Sequence, residues 1–326
     1  MKTTVLGIGA WGTALANLLA DQGCQVTLWG HDSRLVDLIR NTGTNPTYLP
    51  GIAVDPRIVP TADLHQAVRG QDLIVVALAS RFVRGTLQPL RDCSAIVVSV
   101  TKGIEFDTGL TMSGLLEDIM PHARIAALSG PTLAREVAHG IPTAIVAASR
   151  DPQTAQLVQT AFHRPAFRVY TSGDLLGVEL GGALKNVIAI AAGVGDGLGY
   201  GDNSKAALIT RGIAEIRRLG VACGAQPETF AGLSGMGDLT VTCFSRLSRN
   251  RGLGERLGRG EPIQAILSSM VSVAEGVPTA RAARQLARHH SVPAPVIDEV
   301  YAMLHEGKNV QQAAHDLTCR DSKAED

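Results

Sequence analysis

The sequence predicts an α/β half followed by a helical half. In the first half, helical patterns alternate with short apolar, β-branched runs, which are TTVLGIG, CQVTLWG, DLIVVALA, AIVVSVTKG, RIAALSG and TAIVAA. This alternation favours a mostly parallel sheet covered by helices. After FRVYTSGD the strand signal fades, and the rest indicates helices separated by glycine-rich turns. We therefore predict an α/β domain over 1–178 and an all-helical domain over 179–326.

Size and composition fit an ordinary two-domain globular protein. The chain has 326 residues, of which 45% are hydrophobic and only 4% aromatic, so the core should be built from aliphatic side chains and alanine. Thirty basic and thirty acidic residues give a formal net charge of zero. A general polyanion-binding surface is therefore not expected, and nucleic acid is not the predicted partner.

The lack of a signal-peptide pattern and the cysteine usage favour a cytoplasmic location. The first residues, MKTTVLGIGAWG, contain no long apolar segment before a cleavage site, so we expect mature structure there. No uncharged apolar run is long enough to span a bilayer. The five cysteines are scattered and form no CxxC pair, as expected for buried free thiols in a reducing compartment.

A glycine fingerprint follows the first predicted strand. Gly7, Gly9 and Gly12 form GxGxxG between that strand and the helical stretch ALANLLADQG. Glycines at these positions allow a tight turn, close approach of the backbone to a pyrophosphate and close helix packing, while the helix N-terminus offers N–H groups. The alternative is a glycine-rich turn without a ligand. The strand–turn–helix context predicts a Rossmann-type dinucleotide-binding domain.

The end of the second strand departs from the usual pattern for NAD. An acidic residue normally stands there to bind the ribose hydroxyls, but Gly30 and His31 occupy the position and Asp32 comes late. His31 and Arg34 are placed to meet a 2′-phosphate, although Arg34 is equally typical of an exposed loop. Strict selection of NAD is therefore not expected.

Two further strand ends carry candidate ligand-binding residues, because ligands bind beyond the carboxyl ends of parallel strands. Lys102 follows AIVVSVT, and the stretch SGPT follows RIAAL. Pro131 in SGPT fits the first position of a helix, which would leave nearby N–H groups facing a ligand. An ordinary surface lysine and an ordinary helix start are the alternatives.

Lys185 interrupts the apolar helical stretch GVELGGALKNVIAIAAGVGDG. One helical turn before it are Gly181 and Gly182, and one turn after it are Ile188 and Ala189. None of these neighbours has a carboxylate, so local ion pairing does not explain the lysine.

Three other stretches of the helical half hold polar residues among glycines. They are GLSGMGDLTVTC with Asp238, SRLSRNRGLG with Ser248, Arg249 and Asn250, and VAEGVPTA with Glu275. An arginine beside a hydroxyl and an amide can hold a phosphate through its planar donor fork. A solvated basic face is the alternative on spacing alone.

Together these stretches resemble the NAD(P)-dependent glycerol-3-phosphate dehydrogenases of bacteria, which interconvert sn-glycerol 3-phosphate and dihydroxyacetone phosphate. The resemblance covers nearly the whole chain, through GIGAWGTALA, WGHD, TKGIE, SGPTLAREVAHGIPTA, GVELGGALKNVIAIAAGVGDGLGYGDNSKAALITRG, GLSGMGDL, TCFSRLSRNRGLG, VAEG and HEGKN. The lysine-containing block and SRNR are specific, whereas many dehydrogenases share the glycine fingerprint.

The resemblance implies site residues. Lys185 is implied as the catalytic acid/base, and Lys102 as a contact of both cofactor and substrate. Other implied substrate contacts are Gly130, Thr132, Asp238, Ser248, Arg249 and Asn250. The implied contacts of NADP or NAD are Gly7, Gly9, Ala10, Trp11, Gly12, His31, Ala134, Arg249, Val273 and Glu275. Ala10 stands where relatives often have serine, so a side-chain hydroxyl contact is lost there.

A mechanism is implied for Lys185 as well. At an interdomain cleft, a lysine packed over Gly181 and Gly182 can reach the substrate oxygen, because those glycines have no side chains to block it. Lys185 would take the C2 hydroxyl proton in oxidation and donate one in reduction, with Asp238 orienting its ammonium group. The product is expected to feed phospholipid synthesis.

From the residues alone, two other functions and the formation of a homodimer remain open. One alternative is a hydroxyacid dehydrogenase of similar build with a carboxylate substrate, and the other is a cofactor-sensing regulatory protein without turnover. The small residues and GxxxG-like spacing of the helical half also predict a possible homodimer surface.

Overall fold

The computed structural model describes residues 1–320 and divides the chain into two compact units. The first comprises Met1–Glu105 and Leu110–Glu179, and the second comprises Phe106–Gly109 and the chain from Leu180 onward. The division falls after Glu179, within the helix α8 (Leu175–Gly197). The tail RDSKAED, which we expect to fray, lies outside the described residues apart from Arg320.

The first unit contains an eight-stranded sheet. Its strands are β1 (Lys2–Leu6), β2 (Gln25–Trp29), β5 (Val59–Thr61), β6 (Leu73–Val76), β7 (Ile96–Ser99), β8 (Arg124–Ser129), β9 (Thr143–Ala148) and β10 (Phe167–Ser172), and the strands β3 (Thr44–Asn45) and β4 (Leu49–Ala53) form a separate antiparallel pair. The order in the sheet is β10-β9-β8-β7-β6-β1-β2-β5. All neighbouring strands are parallel except β8 and β9. The predicted fold class is therefore confirmed.

Helices cover both faces of this sheet. They are α1 (Ala10–Asp21), α2 (Ser33–Thr42), α3 (Leu64–Val68), α4 (Ser80–Leu87), α5 (Met112–Ile119), α6 (Ala134–Ala138) and α7 (Pro152–Phe162). Strands β6 and β7 are buried along their whole length, which is why their sequences are continuous apolar runs rather than alternating ones. Side chains of Leu15 and Phe162 pack on one face of the sheet, and those of Leu87 and Leu116 on the other.

The second unit is built from helices joined by loops, and its described residues contain no strand. Besides the C-terminal part of α8, its helices are α9 (Asp202–Ala222), α10 (Asp238–Phe244), α11 (Arg249–Gly258), α12 (Ile263–Ser269), α13 (Gly276–His289), α14 (Pro295–His305) and α15 (Val310–Thr318). A short 3₁₀ turn, Pro227–Ala231, and a π turn, Leu233–Gly237, precede α10. Helix α8 is long and apolar enough to cross a membrane, but 94% of its most apolar window is buried inside the protein.

The GxxxG-like glycines are used inside the second unit. Gly193 and Gly197 of α8 lie against the backbone of α11, and Gly254 and Gly258 of α11 lie against the backbone of α8. These glycines are therefore occupied by an internal helix contact, so their spacing does not itself indicate a dimer surface, and the homodimer stays a prediction.

The cysteines are free thiols, as expected, but only one is fully buried. Cys243 is buried, and this burial raises its pKa to about 12. Cys319 is exposed and the other three are half-buried, so the expectation of five buried thiols is wrong.

Candidate active site

The glycine loop is shaped by two close backbone contacts. Gly7 has a φ of 125°, and a Cβ there would lie 2.5 Å from the carbonyl oxygen of Ala77. A Cβ on Gly12 would clash with the carbonyl oxygen of Gly7. Gly9 differs, because it is the N-cap of α1 and a Cβ there would meet no atom within 4 Å. The loop thus holds the N-terminus of α1 against open space, where its first N–H groups have no intrahelical acceptor.

Two residues of the first turn of α1 extend this arrangement. Ala10 begins the helix and brings no polar side chain to it. Trp11 lies with its ring 6.5 Å from that of Phe167. Its Nε1 atom is buried and has no acceptor among the described residues.

The carboxylate nearest the end of β2 belongs to Asp32 and caps the next helix. Asp32 accepts hydrogen bonds from the N–H groups of Arg34, at 3.0 Å, and Leu35, at 3.4 Å, and so caps α2. His31 and Arg34 are both exposed. The late position of Asp32 in the sequence is therefore explained by its role as a helix cap.

Lys102 and the SGPT stretch come together at the adjacent ends of β7 and β8. The Lys102 Nζ donates to the carbonyl oxygen of Gly130 at 2.8 Å and to the Thr132 Oγ1 at 3.1 Å. The Thr132 hydroxyl also donates to the Gly130 carbonyl, at 3.0 Å. The prediction that Pro131 begins a helix is wrong, because α6 begins only at Ala134 with Leu133 as its N-cap.

Lys185 is buried, and its partners are distant in sequence. Its Nζ donates to the Asp238 Oδ1 and to the Thr242 Oγ1, both at 2.6 Å. Lys185 is 5% exposed and Asp238 is 1% exposed, so the pair is shielded from water. The carboxylate missing from the neighbouring turns of α8 is thus supplied by the first residue of α10.

The π turn before α10 explains how Asp238 reaches Lys185. A Cβ on Gly181 of α8 would lie 2.8 Å from the carbonyl oxygen of Ser234, in that turn. Gly181 therefore admits the backbone of the GLSGMGD stretch. This differs from the expectation that Gly181 clears a path to the substrate.

Thr242 is a site residue that the sequence reasoning missed. It lies one helical turn after Asp238, on the same side of α10. Its hydroxyl donates to the carbonyl oxygen of Asp238 at 2.6 Å, which leaves the oxygen lone pairs to accept from Lys185. The spacing of four residues from Asp238 was a usable signal, once Asp238 is known to begin a helix.

The SRNR stretch is mostly buried rather than a solvated face. Ser248 caps α11 and accepts from the Arg251 N–H at 3.2 Å. Asn250 is buried, donates to the Asn186 Oδ1 at 2.8 Å and accepts from the Gly276 N–H at 3.0 Å. It therefore connects α8, α11 and the start of α13. Asn186, next to Lys185, was also missed by the sequence reasoning.

Arg249, Val273 and Glu275 form one group beside this network. The Arg249 Nη1 donates to the carbonyl oxygen of Val273 at 2.9 Å. The Arg249 side chain is exposed, yet the surrounding protein desolvates its guanidinium and lowers its pKa, while the Glu275 charge acts in the opposite direction.

The predicted site residues thus fall into two groups, one in each unit. The first unit holds the glycine loop, His31, Lys102, Gly130, Thr132 and Ala134, and the second holds Lys185, Asp238, Ser248, Arg249, Asn250, Val273 and Glu275. The described residues contain no cluster of His, Cys, Asp and Glu that could hold a metal ion.

Two family models match consecutive parts of the chain. The model of the NAD-dependent glycerol-3-phosphate dehydrogenase N-terminus matches residues 2–155, and that of the C-terminus matches residues 174–315. The chain belongs to the NAD-dependent glycerol-3-phosphate dehydrogenase family. Its activity is accordingly that of a glycerol-3-phosphate dehydrogenase that uses NAD(P).

Individual glycerol-3-phosphate dehydrogenases agree with this membership. The enzyme of Geobacter sulfurreducens is 51% identical over 327 residues, which cover 98% of each chain. That of Moorella thermoacetica is 50% identical over 94% of this chain and 92% of its own. The crystal structure of the Coxiella burnetii enzyme superposes with a TM-score of 0.95 at 35% identity, over 98% of this chain and 99% of that one.

NAD(P) fits the first unit on two observations. The space in front of Gly9 leaves room for a pyrophosphate against the N-terminus of α1. The buried Trp11 Nε1, for which the described residues provide no acceptor, is a donor that a bound group would satisfy.

Proposed function

We propose that Lys185 is the acid/base of an enzyme that interconverts sn-glycerol 3-phosphate and dihydroxyacetone phosphate. The observation that carries this proposal is the buried trio of Lys185, Asp238 and Thr242. The two acceptors hold the lysine Nζ at one point, and they do so in a site from which water is largely excluded. Such a fixed position is what proton transfer to a reacting oxygen requires.

The nicotinamide, when bound, supplies or accepts a hydride at C2 of the substrate. During reduction, the Lys185 Nζ donates a proton to the C2 oxygen as negative charge develops on that oxygen. During oxidation, Nζ accepts the proton of the C2 hydroxyl. Asp238 and Thr242 keep Nζ in place through both directions, and Asp238 balances the charge of the ammonium group.

Cofactor binding is proposed for residues 1–178. Gly7, Gly9 and Gly12 shape the loop, and the N–H groups of Ala10 and Trp11 at the start of α1 face the pyrophosphate. His31 replaces the usual acid at the end of β2 and does not repel a 2′-phosphate, which supports use of both NADP and NAD. Ala134, and in 179–326 the residues Arg249, Val273 and Glu275, are proposed as further cofactor contacts.

Substrate binding and catalysis are proposed mainly for residues 179–326. Arg249, next to the buried Asn250, is proposed to hold the substrate phosphate through its donor fork. Ser248 and Asp238 belong to the same substrate group. In 1–178, Lys102, Gly130 and Thr132 are proposed to contact the substrate.

The remaining proposals concern the cellular setting. The balanced charge supports a protein that binds small molecules rather than nucleic acid, and the scattered free cysteines support a cytoplasmic location. A homodimer is proposed because most soluble oligomers are symmetric assemblies of identical chains, among which dimers are the commonest. The reduced product would supply phospholipid synthesis.

The phosphate proposal is tested by Arg249→Lys, with Arg246→Ala as the control. Lysine keeps the charge but loses the planar fork, so kcat/KM for dihydroxyacetone phosphate should fall by about tenfold or more, through both kcat and KM. Activity toward unphosphorylated dihydroxyacetone should change little. Arg246 is exposed and precedes the SRNR core, so its removal should leave the kinetics nearly unchanged.

Equal losses toward both substrates in Arg249→Lys would contradict the phosphate assignment. A larger effect of Arg246→Ala would do the same. Either result would place the contact with the substrate phosphate on residues other than Arg249. Failure of the wild-type protein to consume NADPH with dihydroxyacetone phosphate would instead favour the cofactor-sensing alternative.

A further inference from the structure

Helices α8 and α11 touch through their backbones along two turns. A Cβ on Gly193 would clash with the Arg251 carbonyl oxygen, and a Cβ on Gly254 would clash with the Ile190 carbonyl oxygen. The contact continues at Gly258, where a Cβ would lie 2.5 Å from the carbonyl oxygen of Val194. Because the opposing atoms belong to the backbone, they cannot turn aside as a flexible side chain would.

A charged cluster also joins these helices, between the C-terminal part of α8 and the first turn of α11. Asp196 of α8 pairs with the Arg251 Nη2 at 2.7 Å and with the Lys205 Nζ at 2.7 Å. Arg251 also pairs with Glu255 at 3.3 Å. Asp196, Lys205 and Arg251 have side-chain exposures of 10–13%, so water screens these pairs weakly. The cluster therefore opposes sliding of α11 along α8.

A hydrogen bond between the same two helices lies next to the proposed active site. The Asn250 amide of α11 donates to the Asn186 Oδ1 of α8 at 2.8 Å. Asn186 directly follows Lys185, and Asn250 directly follows Arg249. The glycine contact, the charged cluster and this hydrogen bond thus hold the lysine and the arginine on a single rigid pair of helices.

We propose that Gly193 and Gly254 are positioning residues that set the separation between Lys185 and Arg249, and that this separation selects the substrate by length. This inference rests on the proposed roles of Lys185 at the C2 oxygen and Arg249 at the phosphate. A substrate is turned over well when the distance from its reacting carbon to its phosphate matches the spacing of these two side chains. A substrate without phosphate engages Lys185 but not Arg249, so it does not sense the spacing.

A displacement of one reactive group by about 1 Å can cost roughly a hundredfold in rate. A Cβ at Gly193 or Gly254 must separate the two helices locally, because neither backbone oxygen can move independently. The loss should therefore be selective for the substrate that is held at both ends. A purely structural role of the glycines would reduce activity toward every substrate alike.

The test uses matched glycines on each helix. Gly254→Ala is compared with Gly252→Ala on α11, where a Cβ would meet no atom within 4 Å. Gly193→Ala is compared with Gly195→Ala on α8, where the nearest atom would be 3.9 Å away. We expect the first member of each pair to lose about a hundredfold in kcat/KM for dihydroxyacetone phosphate, but only a few-fold for dihydroxyacetone. The second members should behave like the wild type toward both substrates.

A wild-type measurement makes the test independent of variant folding. A phosphorylated hydroxyketone with one more carbon between carbonyl and phosphate should have a kcat/KM about a hundredfold below that of dihydroxyacetone phosphate. Equal values for the two phosphates, or equal losses toward both substrates in a folded Gly254→Ala variant, would overturn the inference. Absence of dihydroxyacetone phosphate reduction by the wild type would overturn the proposed function instead.

Discussion

The cofactor loop of the first unit and the lysine site of the second are built from contacts of very different range. Gly7, Gly9 and Gly12 lie within six consecutive residues. Their roles depend on backbone geometry, which a short sequence motif is enough to predict. Lys185 instead depends on Asp238 and Thr242, which are 53 and 57 residues away in sequence. Local backbone sites can therefore be identified from sequence, whereas side-chain sites need the packing that brings distant elements together.

The largest effect that would sharpen this comparison is expected within the glycine loop. Gly12→Ala places a Cβ against the Gly7 carbonyl and should reduce both the melting temperature and NADPH affinity, the latter by about a hundredfold or more. Gly9→Ala meets only open space, so it should fold normally but still weaken NADPH binding, because its Cβ enters the volume assigned to the pyrophosphate. Thermal melting and nucleotide titration measure the two effects separately.

Unchanged NADPH affinity in Gly9→Ala would show that the cofactor does not approach the backbone at this point. Equal loss of stability in both variants would show that the two glycines have the same structural role.

An intermediate effect is expected at Thr242, the part of the lysine site that local sequence did not reveal. Thr242→Val keeps the shape of the side chain but removes an acceptor of a charged donor, so kcat should fall by about tenfold to a hundredfold. NADPH affinity should stay unchanged. Thr240→Val, on the exposed side of the same helix, is the control and should keep the wild-type kcat. A normal kcat in Thr242→Val would mean that Thr242 does not position the lysine.

The smallest effect concerns helix capping, where each unit uses both local and distant residues: Ser248 caps α11 locally in the second unit, and Glu179 accepts from the Ser113 N–H of α5 in the first. In the first unit, Asp32 and Asp151 each cap the helix that follows them directly. In the second, Glu215 of α9 accepts from the Val296 N–H at 3.0 Å and the Ile297 N–H at 2.9 Å, at the start of α14. Burial raises the Glu215 pKa to about 7, although these two hydrogen bonds and Arg218 act against the shift.

The sign of the resulting pH dependence follows from that raised pKa. The stabilising contribution of Glu215 is complete below its ordinary pKa of 4.5 and is lost as the pH rises through about 7. The melting temperature of the wild type minus that of Glu215→Gln should therefore decrease by roughly a few degrees from pH 5 to pH 8. Glu228→Gln, at an exposed position, should show no such trend. A difference that grows with pH would indicate that Glu215 is ionised in the folded protein throughout this range.

Features predicted correctly from the sequence are those that a short segment determines. Strands such as β6 and β7 were predicted because continuous apolar runs are typical of strands buried on both faces. The edge strand β5 was missed because it has three residues and contains Pro60, which weakens the strand signal and is tolerated only at an edge. The antiparallel direction of β9 was also not predicted, since its apolar run carries no information about direction.

Features of the site that were missed or misread depend on tertiary packing. The fixed φ of a proline ring suits a helix start, but after Pro131 the chain continues to Ala134 before the helix begins. The glycines of α8 and α11 have the spacing of an association motif, and only the fold shows that they pack against each other. The roles of Asn186 and Thr242 likewise become evident only when α8, α10 and α11 are placed together.

The most direct test of the lysine site is turnover by Lys185→Ala, measured as loss of nicotinamide absorbance with dihydroxyacetone phosphate and saturating NADPH. The variant should bind NADPH normally and lose roughly a hundredfold to ten-thousandfold in kcat, because a positioned proton donor is gone. Added methylammonium should restore part of the rate, since it can occupy the space beside Asp238 and Thr242 and supply the missing proton. Near-normal turnover by the variant without any added amine would contradict the assignment of Lys185 as the acid/base.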